Sequence, residues 1–484
     1  MDKKGQSALF ADYYALTMSQ GYWKHNPDRQ AVFEMSFRRQ PFGGGYTIFA
    51  GLGTLLENLA SLSFTDDDIE YVRSLGGFED GFLEYLKNFR FTASLWAVDE
   101  GTVVFPQEPL IRIRGNLIEC QIIEAMLLNT INFQSLIATK TRRVWLASGK
   151  GSIMEFGLRR AQGPDGAMSA SRAAFIGGAI GTSNTLAGKA YGIPVMGTMG
   201  HSWVMSFPNE EEAFNAYGEL YPDRSVFLID TYDTLKSGII NAIKAGKKLN
   251  EQGKKFGVRL DSGDIEYLST EVRKMLDEAG FNDASITVSN ELDETIVETM
   301  VRLGAPVDTW GVGTNMVTGG NDAALTGVYK MSASEDKSGN MVPVMKFSDN
   351  PEKTTNPGIK QIWRLRDEHG SPVADVLAMD GPDEFETFKH GSRQRFWHTT
   401  GDYRHFFHEI VSEPQPLLKM RLNKGQRQGP RLTLAEIRSF SGQDLETFDS
   451  TYKRILNPHA YKVSMTEKLR GLKLKLIDSF VNNM

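Results

Sequence analysis

Between residues 152 and 330 the chain repeats one pattern, in which a short apolar run ends in glycine, polar or charged residues and an amphipathic stretch follows. The instances are "SIMEFGLRRAQGPDG" before "MSASRAAFIGGAIG", "PVMGTMGHSW" before "NEEEAFNAYGELY", "SVFLIDTYDT" before "LKSGIINAIKAGKKL", "KFGVRLDSGD" before "IEYLSTEVRKMLDEAG", and "ASITVSNELD" before "ETIVETMVRLG". A further strand, "DTWGVGTNMVTG", returns toward "GVYKMSASE". Apolar strands alternating with helices predict a parallel sheet. About six such units in about 200 residues fit a closed, irregular α/β (TIM-like) barrel with its chemistry on the loops after the strands. The alternative is a doubly wound sheet with its site at a switch point.

Upstream the pattern changes. "AVFEMSF" at residues 31–37 alternates as a half-buried strand does, and "FGGGY" turns the chain after it. Residues 50–62, 66–76 and 79–89 have amphipathic helical spacing, and "FTASLWAVDEGTVVFPQEPLIRIRG" reads as short strands broken at Gly101 and Pro106. Residues 117–147 hold neither Pro nor Gly and predict one long helix. Beyond Val342, "VMKFSDNPEKTTNPGIKQIWRL" and "VADVLAMD" read as strands around a Lys- and Pro-containing loop, followed by short amphipathic helices. The expected organisation is an N-terminal α+β domain over residues 1–125, the barrel over 126–340, and a C-terminal helical and strand segment over 341–484 that packs on both.

Composition narrows the classes. At 484 residues, with 40 % hydrophobic and 24 % charged positions, the chain can bury a large core and is neither disordered nor fibrous. A formal charge of −6 argues against a general nucleic-acid or anionic-membrane binder. Cys120 is the only cysteine, which excludes intrachain disulfides and cysteine-rich zinc sites and suits a reducing, cytoplasmic setting. No apolar run approaches the ~18 residues that span a bilayer, and the start carries no cleavable signal pattern.

The strand ends carry the candidate chemistry: Glu155, Arg159, Arg160, Thr198, His201, Asp230, Arg259, Asp261, Ser262, Asp264, Ser289, Asn290, Gly313 and Thr314. In a barrel these converge. Guanidinium forks grip phosphate, carboxylates hold hydrated Mg²⁺, and glycine-flanked amides approach anionic oxygens. "ITVSN" and "GVGTN" fall where barrels commonly cradle phosphate. A simpler reading of "VRLDSGD" is that Ser262 or Asp264 caps the following helix, which leaves Arg259 unexplained. His201, one of eight histidines, sits among small residues in "GTMGHSW".

These motifs, "EFGLRRAQGPDGAMSASRAAFIGGAIGTSNTLAG", "GIPVMGTMGHSWVMSF", "GVRLDSGD", "VSNELDE" and "GVGTNMVTG", resemble those of nicotinate phosphoribosyltransferases, and "DYYALTM", "FEMSFRRQPFGGGY" and "PEKTTNPGIK" extend the resemblance over residues ~10–365. The resemblance implies an α/β barrel joined to an N-terminal α/β domain. It implies that nicotinate attacks C1 of phosphoribosyl pyrophosphate, with ATP hydrolysed alongside and Mg²⁺ required. By the same resemblance His201 is the histidine phosphorylated by ATP. Arg159 and Arg259 hold the pyridine carboxylate and the phosphoribosyl phosphate in an order left open. Phe156 and Tyr14 stack on the pyridine ring, the tyrosine coming from the second subunit of a homodimer. Thr198 contacts nicotinate, Gly313 and Thr314 belong to the phosphoribosyl site, Asp230 and Asp261 lie near the ribose and Mg²⁺, and Arg38 reaches the second subunit's pyrophosphate. The exact Mg²⁺ ligands stay open, with Asp261 a candidate.

The nicotinamide-using sibling carries an aspartate in its "GTDT" segment, where this chain reads "GTSNT" with Ser183 and Asn184, so the resemblance favours nicotinate. Two rival readings are a barrel hydrolase or aldolase in which His201 with Asp230 or Asp261 binds a metal, and a nucleotide sensor that lost turnover. The absence of a His-x-x-x-His pair disfavours the first, and the presence of His201, Arg259 and Asp261 together disfavours the second.

Overall fold

The computed structural model describes residues 7–348, 353–399 and 403–482. The first six residues and part of the Lys- and Pro-containing loop expected after Val342 lie outside that range. Contacts divide the chain into two units, Met1–Leu136 with Ala324–Met484, and Ile137–Ala323.

The discontinuous unit is built on a seven-stranded sheet, and its strand order explains why the division differs from the three consecutive domains expected. Strand Gln30–Phe37 lies between Gly327–Glu335 and Ile111–Asn116, and pairs antiparallel with both. Ser94–Ala97 follows and pairs with Lys419–Asn423. "GVYKMSASE", assigned above to the barrel, therefore belongs to this sheet, where Phe33 stacks on Tyr329 with ring centroids 4.9 Å apart. Helices Leu52–Ala60, Asp66–Ser74 and Asp80–Lys87 bury one face each, through Leu55 and Leu59, Val72, and Phe82 and Leu86. The helix Asp66–Ser74 opens with a Thr65/Asp68 capping box.

A second sheet of this unit contains Lys360–Arg366 and Pro372–Met379 as an antiparallel pair. Arg364, 1 % exposed, reaches Asp375, Asp444 and the Val103 carbonyl, so one buried guanidinium ties this sheet to segments far away in sequence. The long helix predicted over 117–147 is divided into Leu117–Ile122 and Glu124–Ala147.

The continuous unit holds a six-stranded parallel sheet in the order Gly181–Thr182, Ser152–Glu155, Thr309–Val312, Ser285–Asn290, Phe256–Leu260, Ser225–Leu228. It forms a parallel half-barrel. The strand expected at "PVMGT" reduces to a single bridge between Val195 and Thr182, because the apolar run ends at once in Gly197. Helices such as Ile239–Glu251, Ile265–Glu278 and Glu294–Leu303 cover the sheet with their apolar faces. All six strands point the same way, so their C-terminal ends share one edge. Among the described residues no helix is long and apolar enough to cross a membrane.

Candidate active site

A cavity of about 420 Å³ opens at those strand ends, within the continuous unit. Its lining draws on Phe156 and Arg159 after the first strand, Thr198, Arg259 and Asp261 in the middle, and Gly313 and Thr314 after the last. These seven, with Arg160, Ser183, Ser289 and Asn290, were all singled out from sequence and meet around one space.

Arg259 is the most constrained of them. Its Nε donates to Ser289 Oγ at 2.9 Å, Nη1 to Thr198 Oγ1 at 2.9 Å, and Nη2 to Asp261 Oδ1 at 2.8 Å. The guanidinium carbon lies 5.6 Å from the centre of the Phe156 ring. Each of the three guanidinium nitrogens has a partner, which fixes the guanidinium plane before any ligand arrives. Thr198 is accordingly committed to Arg259, and its own hydroxyl donates to the Met199 carbonyl.

Asp261 is half-buried, and burial alone would raise its pKa. The Ser289 hydroxyl and the Arg259 guanidinium outweigh that and hold the carboxyl below the ordinary aspartate range. Its Oδ2 stands 3.6 Å from His201 Nε2, while His201 Nδ1 is 3.2 Å from Thr231 Oγ1. His201 opens the short helix His201–Met205, with its side chain 41 % exposed. The small residues around it keep space open: a Cβ added at Gly197 meets nothing within 4 Å, and one at Gly200 meets only Ser202 Oγ at 4.0 Å.

Asp230 accepts from the Asp261 amide at 3.0 Å and from Ser262 Oγ at 2.6 Å through Oδ2. Its Oδ1 is buried without a hydrogen-bond partner among the described residues, an acceptor left for a hydroxyl or a metal-bound water. Asp264, by contrast, caps the helix Ile265–Glu278 by accepting from Tyr267 N, so the two readings of "VRLDSGD" apply to different residues. Glu155 is buried at 1 % exposure and accepts from Gly157 N, Ser171 Oγ and Thr182 Oγ1, which makes it a strut under the site.

Phe156 owes its position to glycine. A Cβ on Gly311 would come within 2.6 Å of the Phe156 ring, and one on Gly157 within 2.2 Å of Val317. Arg159 and Arg160 line the cavity, are exposed, and make no ion pair among the described residues. They are the cations left for an anionic ligand.

Ser183 lines the cavity, but Asn184 does not. Asn184 is 3 % exposed; its Oδ1 caps the helix Thr185–Tyr191 by accepting from Ala187 N, and its Nδ2 donates to Ser171 Oγ. Glu291, missed from sequence, also lines the cavity and accepts from Thr314 Oγ1 at 3.3 Å. The signal for it was an acidic residue directly after a strand. Thr231, beside His201, carried no sequence signal.

Tyr14 and Arg38 belong to the other unit. Tyr14, 46 % exposed, donates to Glu124 Oε2 at 3.0 Å, and burial followed by the Glu124 charge pushes its hydroxyl up to about 12. Arg38 follows the strand Gln30–Phe37, where its amide is held by Thr326. Among the described residues no group of three or more His, Cys, Asp or Glu is arranged to hold a metal ion.

A parallel half-barrel whose strand ends gather a locked arginine, an aromatic ring and two exposed arginines defines a mixed α/β protein with a cationic, aromatic-walled mouth. The chain belongs to the nicotinate phosphoribosyltransferase family. Residues 9–132 match the profile of the nicotinate phosphoribosyltransferase N-terminal domain, residues 152–373 that of the nicotinate phosphoribosyltransferase family, and residues 359–473 that of its C-terminal domain. The chain is 40 % identical to the nicotinate phosphoribosyltransferase of Bacillus subtilis, over 98 % of this chain and 96 % of that one. It is 32 % identical to the human nicotinate phosphoribosyltransferase, covering 96 % of this chain and 95 % of that one. The crystal structure of the human nicotinic acid phosphoribosyltransferase superposes with a TM-score of 0.83 at 29 % identity, over 96 % of this chain and 99 % of that one.

Proposed function

We propose that this chain is a cytoplasmic enzyme that makes nicotinate mononucleotide and pyrophosphate from nicotinate and phosphoribosyl pyrophosphate, for NAD synthesis, and couples the reaction to ATP hydrolysis through a phosphohistidine at His201. The half-barrel sheet is read as part of an irregular closed barrel. The observation that carries the reading is the Arg259 cluster, locked against Phe156 and Asp261 next to the exposed Arg159 and Arg160.

The pyridine nitrogen has a free lone pair at neutral pH, so no general base is required. The nitrogen attacks C1 as the bond from C1 to the pyrophosphate oxygen breaks, and catalysis rests on orientation and on stabilising the departing charge. The geometry supports a division between the arginines. Arg259 is fixed over Phe156 and suits the ring and its carboxylate, while Arg159 is free to meet the phosphate, with Arg160 beside it. Gly313 and Thr314 fall on the phosphoribosyl side of this reading.

Mg²⁺ brought by the pyrophosphate fits the donor set, because Asp261, Glu291 and the unpartnered Asp230 Oδ1 can accept from its waters without forming a protein cage. When bound it neutralises charge on the leaving group. His201, half-exposed with both ring nitrogens near polar partners, suits a phosphoryl acceptor. Added negative charge there would reorganise the neighbouring Asp261 and Arg259. Tyr14 and Arg38 are read as contributions across a homodimer.

The test is pyrophosphate release with nicotinate or nicotinamide, with and without ATP, for wild type and His201→Ala. Wild type is expected to prefer nicotinate, and ATP to lower its requirement for phosphoribosyl pyrophosphate. Equal ATP stimulation in His201→Ala would sink the phosphohistidine, and a nicotinamide preference would sink the substrate assignment.

A further inference from the structure

Asn290 ends the strand Ser285–Asn290 at the strand-end cavity, with a backbone φ of 135°. Asparagine tolerates the left-handed helical region near +60°, but 135° lies beyond it, in a range populated almost only by glycine. Among the described residues that line this cavity, Asn290 is the one non-glycine with a positive φ. The fold leaves the backbone little choice. Asn290 stays in register with Val312 of the neighbouring strand, while Leu292, two residues on, is buried and its amide turns back to the Asn290 carbonyl at 2.8 Å. Asn315 Nδ2 holds the far side of the turn by donating to the Leu292 carbonyl at 3.2 Å. Glycine would make this passage without strain, so the asparagine side chain needs its own explanation.

Half of that side chain has one. Oδ1 accepts from the Glu291 amide at 2.8 Å, a backbone donor just past the end of the strand. The bond fixes the side-chain amide plane and takes the Glu291 N–H away from any ligand. Nδ2 has no partner among the described residues, so a neutral donor stands in the cavity lining where a backbone amide would otherwise serve. The neighbouring hydroxyls are already committed: Ser289 is shared between Arg259 and Asp261, and Thr314 donates to Glu291. Position in the sheet favours one substrate. Asn290 pairs across the ladder with Val312, directly before Gly313 and Thr314 on the phosphoribosyl side, whereas Arg259 and Phe156 suit the pyridine ring. A cation at this position would be drawn to Glu291, and a carboxylate would repel an anionic substrate; an amide does neither.

We propose that Asn290 is a substrate-binding residue whose Nδ2 donates a hydrogen bond to an anionic oxygen of phosphoribosyl pyrophosphate, and that the strained backbone serves to present this donor. The assignment rests on the transferase reading and adds a contact to it.

Asn290→Gly and Asn290→Asp test this in pyrophosphate release without ATP, with KM measured for each substrate in turn. Glycine suits the backbone conformation and loses the whole side chain. Aspartate keeps an oxygen for the Glu291 amide and exchanges the donor for a second oxygen. The one loss the two variants share is Nδ2. Both should raise the KM for phosphoribosyl pyrophosphate at least tenfold and leave the nicotinate KM within twofold, with circular dichroism spectra like that of wild type. A rise in Asn290→Gly alone would make Asn290 a cap for the Glu291 amide, and a rise in Asn290→Asp alone would make it a bystander near the anion. Wild-type KM values in both variants would make it a turn residue. Each of these outcomes overturns the proposal, as does an equal rise for both substrates. Failure of wild type itself to turn over phosphoribosyl pyrophosphate would sink the transferase reading and this contact together, and it is seen before any variant is compared.

Discussion

Phe156 rests against the bare Cα of Gly311: a Cβ there would lie 2.6 Å from its ring. The ring cannot yield as a flexible chain end would, so Gly311→Ala must push Phe156 away from Arg259. Displacements of about 1 Å in a positioned site cost roughly 100-fold in rate. Gly311→Ala is therefore expected to lower kcat/KM for nicotinate by roughly that factor. An unchanged nicotinate KM and kcat would remove Phe156 from the ring-binding wall.

Asp261 joins Arg259 to His201, and both links need its charge. Asp261→Asn keeps the size but loses the charge: Ser289 and Arg259 both donate to Oδ1, so the new amide donor takes the place of Oδ2, facing His201. Losing such a charge-assisted contact in a preorganised site costs roughly 10²–10³ in kcat. Steady-state kinetics should show that loss with the circular dichroism spectrum intact. Because Ser289 and Arg259 hold the carboxyl below its ordinary range, acidification toward pH 5 should leave Asp261 ionised.

Ser183 and Asn184 are neighbours in sequence with different tasks. Ser183→Asp puts a negative charge into the cavity lining and should raise the nicotinate KM at least tenfold, with a smaller effect on nicotinamide. Asn184→Asp keeps the Oδ1 cap but loses the donor to Ser171, so it should lower thermal stability more than it changes substrate preference. Competition kinetics and melting curves on the two variants separate these outcomes.

How much of this was legible depends on how local the cause is. The parallel sheet followed from strand and helix alternation, because each helix buries one face and each strand is a short, largely apolar run. The convergence of Arg159, Arg259, Asp261 and Thr314 then followed from direction alone. The pairing of Gln30–Phe37 with Gly327–Glu335 was not legible, since no local period encodes a partner some 300 residues away. Asp264 was one of two caps the sequence offered, but nothing in it showed that Asn184 is spent on a helix cap while Ser183 and Asp261 face the cavity. Adjacent polar residues at a strand end look alike until the backbone turns between them.

The last test concerns what holds the half-barrel unit together. Glu294, with its side chain 6 % exposed, meets Lys140 Nζ at 2.6 Å and Arg143 Nε at 2.9 Å, all within the unit Ile137–Ala323. Burial works to raise its pKa, but the two cations prevail and lower it. A lowered folded-state pKa means stability that is fully present above the ordinary glutamate value, ~4.3, and lost as pH falls through the lower folded value. Glu294→Gln removes the one charge that Lys140 and Arg143 share, and breaking such a buried cluster costs about 3–5 kcal/mol. Melting curves at pH 7 should show the variant several degrees less stable than wild type. The gap should hold down to about pH 5 and close below pH 4, as wild-type Glu294 takes up its proton. A gap that persists unchanged into acid would mean that Glu294 stabilises the unit by packing rather than by charge.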